Sequence, residues 1–140
     1  MAEIAIRPGT RADLELIEAI QIAAPEASHW SPESYLPYHL LVAAVRDTVA
    51  GFLVWRENGP DEGEILNVAV DPGFRRQGLA TALMRAARAQ FAGTFFLEVR
   101  ESNSPARLLY GSFGFQIAGR RPGYYQSPPE SAVVMKLHSC

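Results

Sequence analysis

Leu66-Asn67-Val68-Ala69-Val70-Asp71-Pro72-Gly73-Phe74-Arg75-Arg76-Gln77-Gly78-Leu79-Ala80-Thr81 decides how this 140-residue chain is to be read. The segment opens as a buried strand, breaks at Asp71-Pro72-Gly73 and enters a helix at about Gln77. From Gln77 to Phe91, Leu79, Ala82, Leu83, Ala86 and Ala87 recur at helical spacing among strong helix formers. A helix start exposes unpaired N–H groups and the positive end of the dipole, so it favours an anion. Gly78 has no Cβ and lets a phosphate approach the backbone, while Arg75 and Arg76 add positive charge beside it. Such a turn has three readings: an ordinary strand–turn–helix with solvated arginines, a nucleoside-triphosphate loop, or a pyrophosphate cradle for a coenzyme that needs no metal. The triphosphate reading fails. Gly73 and Gly78 have its spacing, but Leu79-Ala80 stands where Lys-Ser/Thr must hold phosphate and magnesium.

Around this segment, strand and helix signals alternate. Glu3 to Arg7 alternates apolar and polar residues and ends at Pro8-Gly9, which marks a first strand. Thr10 and Asp13 resemble a capping box before Leu14, Ile17 and Ile20, and Ser31-Pro32 opens a short second helix. Leu40 to Arg46 and Val49 to Arg56 flank Asp47-Thr48 as an antiparallel hairpin, and Glu64 to Val70 follows as a further strand. Thr94 to Val99 is a compact apolar strand, and Ser104-Pro105 starts a helix with Leu108, Leu109 and Phe113 on its buried side. Gly114 to Gly119 and Ala132 to His138 are the last strands, separated by a Pro-rich loop, Pro122 to Pro129. Three consecutive strands are too closely spaced for helical crossovers, which argues against a doubly wound parallel sheet. The expected class is α/β: a mixed, mostly antiparallel sheet with helices on both faces, in one domain spanning residues 1–140.

Composition narrows the function classes. Thirteen basic and fifteen acidic residues leave a net charge of -2, which provides no field for nucleic acid or an anionic membrane. The longest apolar run, Leu40 to Val45, is far short of the ~20 residues of a membrane span, and no export signal opens the chain. One cysteine, Cys140, makes neither an internal disulfide nor a cysteine-rich metal site, so the expected setting is the reduced cytoplasm. His29, His39 and His138 have no metal-like spacing and read as structural.

Two side chains stand out chemically. The period of two puts Phe96, Glu98 and Arg100 on one strand face, where a carboxylate is costly unless it meets a partner or a wet cleft. Glu98 is therefore either half of an ion pair, with Arg100 or Arg107, or a working base. Tyr110 lies on its helix opposite Leu108, where amphipathic packing with the hydroxyl at the rim is the ordinary reading, and Asn103 stands where a helix cap is expected.

Val70-Asp71-Pro72 followed by Arg75-Arg76-Gln77-Gly78-Leu79-Ala80 resembles the acyl-coenzyme A signature Q/R-x-x-G-x-G/A of the GNAT superfamily of N-acetyltransferases. Trp30-Ser31, Asn67 to Pro72, Leu97 to Asn103, Leu109-Tyr110, Gly114-Phe115, Arg121 and Tyr124-Tyr125 are similar, in order and spacing, to the RimI-type bacterial ribosomal-protein-alanine N-alpha-acetyltransferases. The stretch from Pro32 to Leu41 is a few residues shorter than in those relatives. The resemblance implies an acetyl-coenzyme A-dependent enzyme without metal, acting on a protein or peptide N-terminus such as that of a ribosomal protein. It implies that Val68, Ala69 and Val70 offer backbone to the thioester and pantetheine. Arg75, Arg76, Gln77, Gly78, Leu79, Ala80 and Thr81 would hold the pyrophosphate, and Asn103 would bond the coenzyme. Glu98 would be the general base, Tyr110 the general acid, and Trp30, Tyr124 and Tyr125 would flank the acceptor groove. A small-molecule amine or lysine acetyltransferase and a non-catalytic acyl-coenzyme A-binding module are the alternatives. Asp61, Glu62 and Glu64, the one tight acidic cluster, are expected away from the acceptor loops, which disfavours a cationic side chain as acceptor.

Overall fold

The computed structural model describes residues 3–126 and 128–137, so His138 and Cys140 lie outside the described residues. Seven strands form one sheet in the order β1-β2-β3-β4-β5-β7-β6. They are β1 (Ile4–Pro8), β2 (His39–Val45), β3 (Thr48–Glu57), β4 (Glu62–Val70), β5 (Thr94–Arg100), β6 (Gln116–Gln126) and β7 (Pro129–Leu137). The helices are α1 (Leu14–Ala23), α2 (Leu79–Gln90) and α3 (Ser104–Ser112), with short 3-10 turns at Arg11–Asp13, Pro32–Tyr35 and Pro72–Phe74. Only β4 and β5 run parallel, because the α2 crossover alone joins them.

The alternation of side chains along β2 and β3 separates two apolar clusters. Leu41, Ala43, Leu53 and Trp55 face Leu79, Leu83 and Ala87 of α2, while Leu40, Val42, Phe52 and Val54 face Ile17 and Ile20 of α1. Both faces are thus covered, as the sandwich expectation requires. The β2–β3 hairpin turns through Arg46 and Asp47, both at positive φ, the backbone that matches the sheet's twist.

Several boundaries differ from the sequence reading for physical reasons. α2 begins at Leu79, since Gly78 is left-handed (φ 80°) and Arg76 is too (φ 63°). The proposed second helix is a single 3-10 turn, Pro32–Tyr35, too short to close an α-helical turn stably. Leu108 is 75% exposed, so it belongs to the solvent face of α3; Ala106 and Tyr110 are buried there instead. The Pro-rich stretch is not a loop. β6 runs through Pro122 to Gln126, possible because β6 is an edge strand with a bulge between Arg121 and Tyr125.

Asp13 ties β1 to the start of α1. Its carboxylate accepts both Arg7 guanidinium nitrogens at 2.9 Å and the Thr10 N–H at 2.8 Å. The Arg7 hydrogen bonds hold the Asp13 carboxyl below its ordinary range. A depressed folded value means the stabilisation is complete above the unfolded value and is lost as pH falls through the folded one. Asp13→Ala is expected to cost about 1 kcal/mol at pH 7, the scale of a lost cap. The gap to the parent should close below pH ~4 in denaturant titrations.

Candidate active site

The site follows from an irregularity in β4. Val54 pairs with Asn67 but its neighbour Trp55 pairs with Ile65, so Leu66 is an extra residue on β4. Such a bulge bends a strand and interrupts its pairing. β4 pairs with β5 only from Glu62–Thr94 to Glu64–Phe96, and beyond the bulge the two strands part. On the β4 side the main chain is left open: Asp71 N–H returns to the Ala50 carbonyl of β3 at 2.7 Å, whereas Val70 N–H points away from β3. Alternation gives Val68 the same outward orientation. Ala69, between them, is fully buried on the α1 face.

One occupant of this opening escaped the sequence reading. Glu26, buried in the loop after α1, accepts the Val70 N–H at 3.1 Å and the Arg75 guanidinium at 3.1 Å. Arg75 is therefore engaged by a carboxylate, while Arg76, Gln77 and Gly78 are exposed. A Cβ at Gly78 would meet no atom within 4 Å, which leaves an open approach to the backbone there. The first helical bond of α2 runs from Ala82 N–H to the Gly78 carbonyl at 3.0 Å, so Leu79, Ala80 and Thr81 contribute N–H groups without helical acceptors. The Leu79 side chain itself belongs to the core. Asn103 caps α3 by accepting the Ala106 N–H at 3.1 Å, and its amide donates to the Glu26 carbonyl at 3.4 Å. Tyr110 is buried close to Glu26. Burial first, then the Glu26 charge, push its phenol well above the ordinary tyrosine value, so it keeps its proton across neutral pH.

On the other side of the opening lies a cavity of about 770 Å³. It is lined by Ala27 to Trp30 of the loop after α1, Glu64 to Leu66 of β4, Glu98 and Arg100 of β5, and Tyr124 and Tyr125 of β6. Glu98, on the face predicted from its alternation, pairs with Arg121 at 3.4 Å rather than with Arg100 or Arg107. Its Oε2 is buried and, among the described residues, meets no hydrogen-bond donor. The Glu98 charge raises the Tyr124 phenol, and burial followed by Glu98 raises Tyr125 to about 12. Arg100 stacks over the Tyr125 ring at 4.3 Å and Arg121 over Tyr124 at 5.5 Å, fixing both rings at the rim. His29 lines the cavity, whereas His39 stacks on Trp55.

One member of the acidic cluster, Glu64, is not where the sequence placed it; Asp61 and Glu62 are not among the residues lining the cavity. Glu64 lines the cavity with Glu98, because the parallel pairing of Glu64 with Phe96 brings the two strands together just before they part. Its charge is met by Arg56 at 2.7 Å. No group of metal-ligating side chains occurs among the described residues, and no helix described is long and apolar enough to cross a membrane.

The chain matches the acetyltransferase (GNAT) family over residues 10–115, and it belongs to that family. Within it, the putative ribosomal protein bS18-alanine N-acetyltransferase of Bacillus subtilis is 34% identical over 94% of this chain and 93% of that protein. The Haemophilus ducreyi ribosomal protein bS18-alanine N-acetyltransferase is 44% identical, but the match spans 56% of this chain and only 59% of that relative. Among solved structures, the ribosomal-protein-S18-alanine N-acetyltransferase of Escherichia coli superposes with a TM-score of 0.80 at 30% identity, covering 98% of this chain and 94% of that one. Ard1 of Thermoplasma volcanium gives 0.83 at 29%, covering 98% of both.

Gly78→Asp would place a carboxylate in the open approach at the start of α2 and strain a left-handed position. The variant should stay folded by circular dichroism and lose coenzyme A binding at least tenfold by calorimetry, with magnesium immaterial in both proteins; about 1.4 kcal/mol suffices for that loss.

Proposed function

We propose that the chain transfers an acetyl group from acetyl-coenzyme A directly to the α-amine of a protein or peptide N-terminus, without a covalent enzyme intermediate. The observation that carries this reading is the parting of β4 and β5, with β4 main chain turned away from β3 on one side and the buried Glu98 Oε2 on the other. The coenzyme supplies an acetyl group activated as a thioester. Its fit is supported by the uncovered Gly78, the free N–H groups of Leu79, Ala80 and Thr81, and the exposed Arg76 and Gln77, which suit a pyrophosphate. Val68 offers main-chain bonds along the extended arm, and the Val70 N–H beside it is held by Glu26, with Asn103 and Arg75 at the flank.

Acyl transfer to an amine needs the amine neutral, the reactants aligned and a proton ready for the leaving group. Glu98 Oε2, buried in the cavity wall, is placed to take a proton from an incoming ammonium, directly or through water. Tyr110 retains the proton that the leaving sulfur requires. Trp30, Tyr124 and Tyr125 line the cavity through which an extended peptide would enter. The relatives' names point to an N-terminal alanine, and protonation agrees. An α-amine with pKa ~7.7–8.0 is about one-tenth neutral near pH 7, against a few parts in ten thousand for lysine at ~10.4. Glu64 in the cavity is the observation that favours a cationic acceptor such as lysine or a polyamine, but its Arg56 partner offsets that attraction.

The decisive experiment offers a short peptide with a free N-terminal alanine and the same peptide with its α-amine blocked and an internal lysine free. Transfer should occur only to the first; equal rates would move the assignment to lysine. Tyr110→Phe should lower kcat by about a hundredfold with coenzyme affinity nearly unchanged. Glu98→Gln should lose most at the acid end of the pH–rate profile, where more of the amine is protonated. Near-parental turnover in both variants across pH would remove the acid–base pair from the mechanism.

A further inference from the structure

Ala27 to Trp30, which line the cavity together with Glu98, belong to residues 24–31, a segment without regular structure between α1 and the Pro32–Tyr35 turn. Such a segment keeps its shape only if something bonds its main chain. One side chain takes both main-chain groups of Ser28. Asn67 Oδ1 accepts the Ser28 N–H at 3.1 Å, and Asn67 Nδ2 donates to the Ser28 carbonyl at 2.8 Å. Gln21 Nε2 donates to the Trp30 carbonyl at 2.8 Å. The two amides are joined: Asn67 Nδ2 lies 3.1 Å from Gln21 Oε1 and 2.9 Å from the Tyr35 hydroxyl, which itself donates to Gln21 Oε1. Gln21, Tyr35 and Asn67 are each no more than 2% exposed.

A polar cluster that merely filled the space between α1 and β4 would be replaceable by apolar side chains without the cost of desolvating three polar groups. These bonds instead lead to Ser28 and Trp30, two residues that line the cavity. Asn67 also precedes Val68, whose main chain faces the donor side, so one strand carries both the donor's support and the anchor of the opposite wall. We propose that Asn67, with Gln21 behind it, is a positioning residue for the acceptor: it holds the Ala27–Trp30 wall at the distance from Glu98 that seats the amine. The inference rests on reading the cavity as the acceptor site.

Asn67→Leu removes both bonds to Ser28 at similar volume, and Gln21→Met, on α1, frees the Trp30 carbonyl while leaving both Asn67–Ser28 bonds in place. Each is expected to raise the KM for the N-terminal alanine peptide about tenfold, well within the ~100-fold that an ångström of misplacement can cost. Coenzyme A affinity by calorimetry should stay within twofold of the parent's, and amide hydrogen exchange should accelerate at residues 27–30. A lowered melting temperature with peptide KM, kcat and exchange at 27–30 all unmoved would show a purely structural bridge and overturn the proposal. Should Asn67→Leu fail to fold, Gln21→Met alone decides on the same readouts. A parent protein that acetylates no peptide N-terminus would overturn the functional reading instead, whereas an active parent with unmoved variants overturns only this one.

Discussion

One extra residue in β4, Leu66, governs the rest of the structure. A sheet whose strands all stayed paired would bury every main-chain group between β4 and β5 and leave no room for chemistry. The bulge turns β4 aside after Glu64, so the last residues of the strand keep β3 on one side and gain an opening on the other. Because the crossover through α2 makes this the one parallel pair, the opening stands at the carboxyl ends of both strands, where the N-terminus of α2 also arrives. A positive helix end, strand main chain unpaired with β5 and a carboxylate on β5 are thereby gathered by topology rather than by sequence proximity.

The two sides of the opening have different electrostatic characters. On the side of Val70 and Tyr110, a buried carboxylate, Glu26, is shared between a main-chain N–H and an arginine, and the neighbouring phenol is kept protonated. On the cavity side the charges come in opposed pairs, Glu64 with Arg56, Glu98 with Arg121 and Arg100 with Glu130, under two tyrosine rings that arginines cover. The proposed acid, Tyr110, and the proposed base, Glu98, thus stand on different sides of the opening.

The parts legible in the sequence are those carried by local periodicity and turn chemistry. Leu79 to Ala87 displays its helix, Leu40 to Arg56 its hairpin, and the alternation around Glu98 places that carboxylate on the correct face. The GNAT resemblance followed because its signature lies in one contiguous turn. What stayed hidden depends on distance along the chain. Nothing in Ile65-Leu66-Asn67 announces that two steps of one strand answer a single step of another. Glu26 reads as a loop acid beside Pro25, since its partners Val70 and Arg75 lie 44 and 49 residues away. Glu64 appeared remote from the acceptor because the parallel pairing that returns it to Phe96 spans the whole of α2. Asn67 did carry a signal: an amide amid Ile, Leu, Val and Ala marks a buried polar group that must find partners.

β6 has a role outside the site. An eleven-residue strand at the edge of a sheet is a template on which another chain can add a strand. Here Pro122 withholds one N–H, Arg120 and Arg121 set charge on the rim, and the four steps from Arg121 to Tyr125 answer only two steps on β7. The other edge, β1, has just five residues and ends on Pro8. The irregular path that brings Tyr124 and Tyr125 to the cavity therefore also spoils the regular ladder that edge-to-edge pairing requires, so the protection of this edge and the lining of the cavity share one short piece of backbone.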